Sequence, residues 1–383
     1  MNKRIFIIAG EASGDFLGGQ LLQSLKQQNS NIEIAGIGGS QMEAQGLKSL
    51  FPMADLSLYG LFELLPHLFN IFKRIKQTKE AIKAFRPDVL VTIDSPGFCF
   101  RIAKYAKQLK IPVVHYVAPS VWAWKTGRAE KLAKKVEVDH LLCLLPFEPP
   151  YFTCHGLAST FVGHPITEVV LPDDTHFRES LKISREATLI CVLPGSRKSE
   201  IQKLLKIFLE AIAKLPLNRR IEVVLPTLPH LVPLIEPLVK DAGISIKIVT
   251  TVEEKWQAFM QSSIALAASG TVSLELAYAG VPQVIAYKVS RLTYWIAKCL
   301  VKTKYASLVN ILNNEMLVPE YLQNQCNAEF LSKQLNAILT DSKYQKQMRQ
   351  KYKEAIDMLN APNMHSSDIA ASIVGDFLPK PLS

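Results

Sequence analysis

Four short stretches of this chain carry residue types able to do chemistry. Each lies between an apolar run and a helical pattern. Gly10-Glu11-Ala12-Ser13-Gly14-Asp15 is a small-residue turn with two carboxylates. Its glycines let a backbone approach a ligand, and Ser13 and Gly14 would stand at a helix start, where a polar group is favoured. It is not GxGxxG, and Glu33, within a strand, is a poor ribose-holding acid about 20 positions on. A hydride-transfer cofactor is therefore not expected. Glu11 and Asp15 would repel an anion, so a hydroxyl-rich ligand such as a sugar fits better; the plain alternative is a tight turn. Asp94 stands at a strand end before Ser95-Pro96-Gly97, where a carboxylate can take a proton from a hydroxyl. His115 and His164 are further proton-transfer candidates, though histidines of this kind more often serve structure.

The other two stretches suit anions. Leu193-Pro194-Gly195-Ser196-Arg197-Lys198-Ser199-Glu200 sets a glycine turn, Ser196 and Arg197 at a helix start. A guanidinium engages two phosphate oxygens at once. Glu200 could complete a capping box, with Arg197 at the cap making the fit partial. Ser269-Gly270-Thr271 supplies backbone N–H groups and hydroxyls that suit a diphosphate. Glu275, just over a turn later, could accept from ribose hydroxyls, or simply be a solvated glutamate. Two anion-ready junctions in one half point to a nucleoside diphosphate. Pro119 to Arg128 combines Trp122 and Trp124 with bases, which fits base or sugar stacking, acyl contact, or a core tryptophan pair.

The elements that must position these residues read as α/β. Arg4 to Ala9, Ile32 to Ile37, Pro87 to Asp94, Ile111 to Val117 and His140 to Leu145 read as strands, and Phe16 to Gln27 as a helix. The pattern restarts after Val162-Gly163-His164-Pro165, with Thr167 to Ser184 as a linker. Strands follow at Thr188 to Leu193, Ile221 to Leu225, Ile244 to Val249, Ile264 to Ala268 and Gln283 to Tyr287, with a helix from about Ser199 to Lys214. Alternating strands and helices imply doubly wound parallel sheets. Ligands then sit beyond the carboxyl ends of the strands, where the four loops lie. Domains of 1–166 and 167–345 are expected, facing each other across a cleft.

The chain has 383 residues, of which 48% are hydrophobic and 20% charged, which excludes wholesale disorder. Mean hydropathy is +0.13 and the pI about 9.2. A net charge of +10 points to an anionic partner: nucleic acid, a phosphorylated substrate or an acidic membrane. The short apolar run at the start is followed at once by Glu11 and Asp15, so a strand is expected there and not a secretory signal. No stretch is long enough for a membrane span. Six scattered cysteines fit reduced thiols in a cytoplasmic protein, and no metal site is expected.

Leu56 to Phe85 reads as membrane-facing. Leu61, Phe62 and Leu65 precede a basic helix whose stripe holds Leu68, Ile71, Phe72, Ile75 and Ile82, with Lys73, Lys76 and Lys83 opposite. Phe69 falls among those lysines. Apolar residues rimmed by bases describe an interfacial segment on anionic lipid; an ordinary packed helix is the alternative. Arg291 to Lys304 has similar character.

The stretches AGEASGD (9–15), IDSPGF (93–98), HYVAPSVWAWK (115–125), PFE (146–148), FVGHP (161–165), LPGSRKSE (193–200), ASGTVSLELAYAGVP (268–282) and SLVNILNNEMLVPEYLQ (307–323) run nearly end to end. On these the chain resembles the lipid-A-disaccharide synthases, bacterial glycosyltransferases of the GT-B class. The resemblance implies two Rossmann-like domains around a cleft, with a helical tail, 346–383, crossing back to the first. It implies transfer of a diacylglucosamine unit from UDP-diacylglucosamine to diacylglucosamine 1-phosphate, forming a β-1,6 bond with inversion and releasing UDP. No cofactor and no tightly held metal are implied. The expected partners are these two lipids and the anionic inner face of the cytoplasmic membrane, where the protein would sit peripherally. Nucleic acid is not expected, and a homodimer is left open. Asp94 would be the base, Glu11 and Asp15 would position sugars, and Arg197, Ser269, Gly270 and Thr271 would neutralise the diphosphate. Glu275 would hold ribose, and Asn310 and Gln323 would contact the donor. The rival readings are another GT-B UDP-sugar enzyme such as a peptidoglycan N-acetylglucosaminyltransferase, a sugar-nucleotide epimerase, a nucleic-acid-binding protein, and an inactive membrane scaffold.

Overall fold

The computed structural model describes the chain except residues 1, 30, 57–63, 124–126, 137, 174–175, 217–219, 241, 291–293, 295–300, 362–363 and 380–383, and the side chains of 64–69 and 128. The chain forms two compact units. Unit 1 comprises Met1–Glu168 and Leu359–Ser383, and unit 2 comprises Val169–Met358.

In unit 1, apolar runs of β-branched residues form β1 (Lys3–Ala9), β2 (Ile32–Ile37), β3 (Val89–Ile93), β4 (Val113–Tyr116), β5 (His140–Cys143) and β6 (Ala158–Phe161). They make a parallel sheet of order β2-β1-β3-β4-β5-β6. Both faces are covered, so alternate residues feed two cores. Phe6, Ile8, Leu90 and Val113 pack on one side with α3 (Leu64–Phe85) and α4 (Pro96–Gln108). Ile5, Ile7, Val91 and Val114 pack on the other with α1 (Ala12–Gln28). The same face carries Ala370, Ala371 and Val374 of the C-terminal helix (Ser366–Gly375). Ser24 Oγ of α1 donates to Ser367 Oγ at 3.0 Å, which fixes that helix in place. A short α2 (Ser40–Ala44) follows β2.

The helix expected from Phe16 begins at Ala12. Glu11 already holds an extended cap conformation, so most of the supposed turn is the first turn of α1. Ile71, Ile75 and Ile82 of the α3 stripe are buried, but Phe72 is 60% exposed. It lies at the edge of the stripe, with the Arg101 guanidinium 6.0 Å from its ring.

Unit 2 has β7 (Thr188–Leu193), β8 (Ile221–Pro226), β9 (Ser245–Val249), β10 (Ile264–Ala268), β11 (Gln283–Tyr287) and β12 (Glu320–Leu322), also parallel, in the order β12-β11-β10-β7-β8-β9. Helices at Lys198–Ala213, Val252–Gln261, Val272–Tyr278, Leu308–Asn313 and Ala328–Thr340 surround the sheet. Residues 342–357 form a helix of this unit, against the helices at 272–278 and 308–313. The tail expected from residue 346 thus rejoins unit 1 only at Leu359.

The strand orders mark where sheets of this kind take their ligands. In each sheet the order reverses next to the first strand, between β1 and β3 in unit 1 and between β7 and β10 in unit 2. Ligands of open parallel sheets bind outside the carboxyl ends of the strands at such switch points. The loops after those strands hold Gly10–Asp15, Asp94–Ser95, Gly195–Arg197 and Ser269–Thr271.

Candidate active site

The switch point of unit 1 is tightly built. Asp94 and Ser95 both have left-handed backbones, at φ 51° and 43°. Non-glycine residues rarely adopt this conformation, and such strain gathers at functional sites. The Asp94 N–H donates to the Tyr116 carbonyl at 2.9 Å, and Ser95 starts α4 by accepting from the Phe98 and Cys99 N–H groups. A Cβ on Gly10 would lie 2.2 Å from Ser95 Oγ, so only glycine lets the two loops close. The Asp94 carboxylate is half-buried. Desolvation raises its pKa from the ordinary aspartate value, and a bond from the Ser95 backbone partly opposes this. That makes it a better proton acceptor than a solvated aspartate.

Of the neighbouring residues, Glu11 and Ser13 are exposed at the start of α1. Gly14 is buried, and a Cβ there would meet Ile93 and Ala9 at ordinary contact distances. Asp15 is 4% exposed, and its carboxylate accepts from the N–H groups of Gly39, Gln41 and Met42 at 2.7–3.1 Å. It therefore satisfies the open end of α2 and shapes the turn. The expected direct contact with a sugar is not what its oxygens do here. His115 is buried, bonded through Nδ1 to Thr92 Oγ1 at 2.7 Å, and burial pushes its pKa down to about 3. His164 accepts the Ile166 N–H on Nδ1, and burial pushes it down to about 4. Both are neutral at ordinary pH, which suits structure rather than proton transfer.

In unit 2 the loop after β7 turns at Gly195, with φ 113°. The Glu200 carboxylate folds back to accept from the Ser196 and Arg197 N–H groups at 3.1 and 3.3 Å, and the Tyr287 hydroxyl donates to it at 3.2 Å. Only the Glu200 half of a capping box is formed: the Arg197 side chain has no acceptor, and the Glu200 N–H donates to the Arg197 carbonyl at 3.0 Å. The Ser196 and Arg197 N–H groups at this helix start are thus already occupied. What this loop presents is the Arg197 side chain, 73% exposed and linked to Glu200 at 3.3 Å.

After β10, Ser269 Oγ donates to the Ala306 carbonyl at 2.9 Å, while Gly270 and Thr271 are exposed. Nothing stands within 4 Å of a Cβ built on Gly270, so a ligand can approach that backbone. Glu275 is held at both oxygens by Lys255 Nζ at 3.0 Å. Asn310 is fully buried: its amide donates to the Val318 carbonyl and Glu320, and its oxygen accepts from the Leu317 and Val318 N–H groups. Asn310 therefore builds the loop, and the expected donor contact through its side chain does not fit. The Gln323 amide, with oxygen and nitrogen assigned to satisfy both, brackets the backbone of Val289.

Sequence reasoning missed three organisers. Glu320 accepts from the Ala306 and Ser307 N–H groups at 2.8 and 2.7 Å and so places the partner of Ser269. Lys255 neutralises Glu275. Glu148 lies within the PFE stretch, which was the only signal for it. Leu61 and Phe62 lie outside the described residues, as do the side chains of Leu65 and Phe69 and most of 291–300. Among the described residues no group of three His, Cys, Asp or Glu stands together as a metal site would, and no helix is long and apolar enough to cross a membrane.

Comparison with known proteins supplies the context. Solved structures share the fold at low identity. The UDP co-structure of S. aureus MnaA superposes with a TM-score of 0.63 at 13% identity, covering 97% of this chain and 95% of that one. Acinetobacter baumannii MurG gives 0.56 at 15%, covering 98% and 99%. With the two parallel sheets, these bear out two Rossmann-like domains of the GT-B class. Among relatives in sequence, the lipid-A-disaccharide synthase of Rhodospirillum centenum is 45% identical over 88% of this chain and 85% of its own. That of Gluconobacter oxydans is 39% identical over 99% and 92%. The family model for lipid-A-disaccharide synthetase matches residues 5–374. The chain belongs to the lipid-A-disaccharide synthetase family.

Proposed function

We propose that this protein is an inverting glycosyltransferase of lipid A biosynthesis. It joins UDP-diacylglucosamine to diacylglucosamine 1-phosphate through a β-1,6 bond and releases UDP. The Asp94 carboxylate takes the proton of the acceptor 6-hydroxyl as that oxygen forms its bond to the anomeric carbon. The bond from that carbon to the UDP oxygen breaks on the opposite face, and UDP leaves with the electron pair. Arg197, with the Gly270 and Thr271 backbone and the Thr271 hydroxyl, stabilises the charge growing on the diphosphate. Glu275, already paired with Lys255, accepts from ribose hydroxyls. Glu11 and Ser13 meet sugar hydroxyls, and Gly14 keeps α1 close to the strand ends. Asp15 and Asn310 support the loops from behind, and Gln323 does the same at Val289.

The observation that carries this reading is the Asp94 corner: a carboxylate with raised proton affinity on a strained backbone at the switch point of its sheet. Exposed Phe72 on a basic helix supports peripheral attachment to the inner face of the cytoplasmic membrane. Binding of an apolar side chain rimmed by bases draws on both apolar burial and anionic lipid. The test incubates purified protein with both lipids and follows UDP. Release that requires both supports the reading; release without acceptor dependence, or none at all, refutes it.

A further inference from the structure

A buried carboxylate sits two strands away from Asp94 and has no part in the chemistry above. The chain leaves β5 through Leu144–Phe147 and reaches Glu148, which is 3% exposed. One of its oxygens accepts from Trp122 Nε1 at 3.1 Å, and the other from the Leu145 N–H at 3.0 Å. The Trp122 ring stands edge-on to Phe147, with centroids 5.4 Å apart. Trp122 belongs to the turn that follows β4. That turn begins at Val117, whose φ of 78° is a left-handed conformation that β-branched residues avoid.

These groups form one bonded series across the strand ends. The Asp94 N–H donates to Tyr116, and the Val117 N–H donates to Leu142 at 3.0 Å. Trp122 then ties the far side of the turn to Glu148. The strained residues Asp94, Ser95 and Val117 stand at adjacent strand ends, and strained backbone persists only where its surroundings over-determine it. Beside the clamp, Val121 and Ala129 with Pro150, Tyr151 and Cys154 line a cavity of about 280 Å³. A released turn has room to collapse into it. A buried carboxylate is also a poor source of stability, since desolvation offsets much of what its bonds contribute. Its place here calls for another reason.

We propose that Glu148 is a positioning residue for the transfer reaction, acting through Trp122 to hold the 117–123 turn and, through the Tyr116 carbonyl, the Asp94 corner. This rests on the reading that Asp94 moves the acceptor proton. Small displacements of a base are expensive, because catalysis depends on reacting atoms already being aligned. Releasing the clamp lowers turnover and leaves substrate binding nearly unchanged.

The experiment measures UDP release with both lipids for Glu148→Ala, Glu148→Gln, Trp122→Phe and the Glu148→Ala/Trp122→Phe pair, with a thermal melt of each. Glu148→Ala and Trp122→Phe should each lower kcat roughly 10- to 100-fold with little change in KM. The double variant should lose no more than the worse single one. Glu148→Gln, which keeps an acceptor for Trp122 Nε1 but sets an amide N–H against the Leu145 N–H, should recover part of the turnover. Trp122→Phe removes little more than an N–H and part of a ring, so it remains informative if Glu148→Ala does not fold. Additive losses, a loss confined to KM, or a Trp122→Phe variant with wild-type kcat would overturn the proposal alone. Wild-type protein that releases no UDP overturns the transferase reading and this proposal with it.

Discussion

The two units share one topological device but surround it with opposite kinds of side chain. Each places two loops at the reversal of strand order beside its first strand. In unit 1 the loops are acidic and strained, and they close on each other so tightly that Gly10 admits no side chain opposite Ser95. In unit 2 the turn is relaxed by Gly195, and Arg197, Gly270 and Thr271 stand in solvent. The contrast matches what the proposed roles would require. A proton acceptor gains basicity when its carboxylate is withdrawn from water, which needs burial and an enforced backbone. A group that meets a diphosphate needs donors presented outward, with little to gain from strain.

The contrast breaks most visibly at Asp94. Asp94→Asn keeps the size and the backbone bond but cannot accept the proton, so turnover should fall about 10²- to 10⁴-fold with an unchanged melt. UDP affinity, measured by calorimetry, should not move, because the proposal assigns it to unit 2. Near-normal turnover would remove Asp94 as the base. Arg197→Ala is the counterpart. Removal of one group stabilising a developing anion costs roughly 10²- to 10³-fold in turnover. Here UDP affinity should fall as well, and Arg197→Lys should recover part of both. If Asp94→Asn weakened UDP and Arg197→Ala did not, the division of labour between the units would be wrong.

A thermodynamic test sharpens the point about burial. Burial raises the pKa of Glu148 from 4.5 to about 7, opposed in part by bonds from the Leu145 backbone, Trp122 and the Leu144 backbone. The folded state therefore holds this proton more tightly than the unfolded chain does. The resulting stabilisation is full below pH 4.5 and is lost as pH rises through about 7. The difference amounts to about 3 kcal/mol. The Cys143 thiol faces the same carboxylate; burial, then the charge of Glu148, push its pKa up, so it stays neutral across this range. Urea unfolding at pH 5 and pH 8 should show wild type losing roughly three-quarters of that amount relative to Glu148→Gln, because the unfolded carboxyl is already largely ionised at pH 5. A constant difference would mean that the carboxyl does not titrate there.

Much of the fold was legible because apolar runs and helical periodicity are local signals. The four candidate loops stood out because each joins such a run to a helix. What stayed hidden depends on side chains distant in sequence. Nothing local says that Asp15 spends its carboxylate on the N–H groups of residues 39–42, or that Asn310 is consumed by residues 317–320. Glu200 was visible as a partial cap, yet its occupation of the Ser196 and Arg197 N–H groups needed the folded loop. The Glu148 clamp joins loops from two different strands, and only the pairing of β4 with β5 brings them together.

Asp15 provides the smallest effect and the narrowest test. The sequence pairs it with Glu11 as a sugar-facing acid, whereas the structure gives its oxygens to three backbone donors. Asp15→Asn replaces one acceptor with a donor against N–H groups that have nowhere else to turn. Leaving a buried donor unsatisfied costs about 1–3 kcal/mol. The melting temperature should fall by on the order of 5 °C. Turnover per folded molecule should hold within a few-fold, since the side chain acts on the shape of the turn. If turnover dropped as far as in Asp94→Asn while the melt stayed put, Asp15 would reach substrate after all. Unit 1 would then work with two carboxylates, and its contrast with unit 2 would rest on charge as much as on burial.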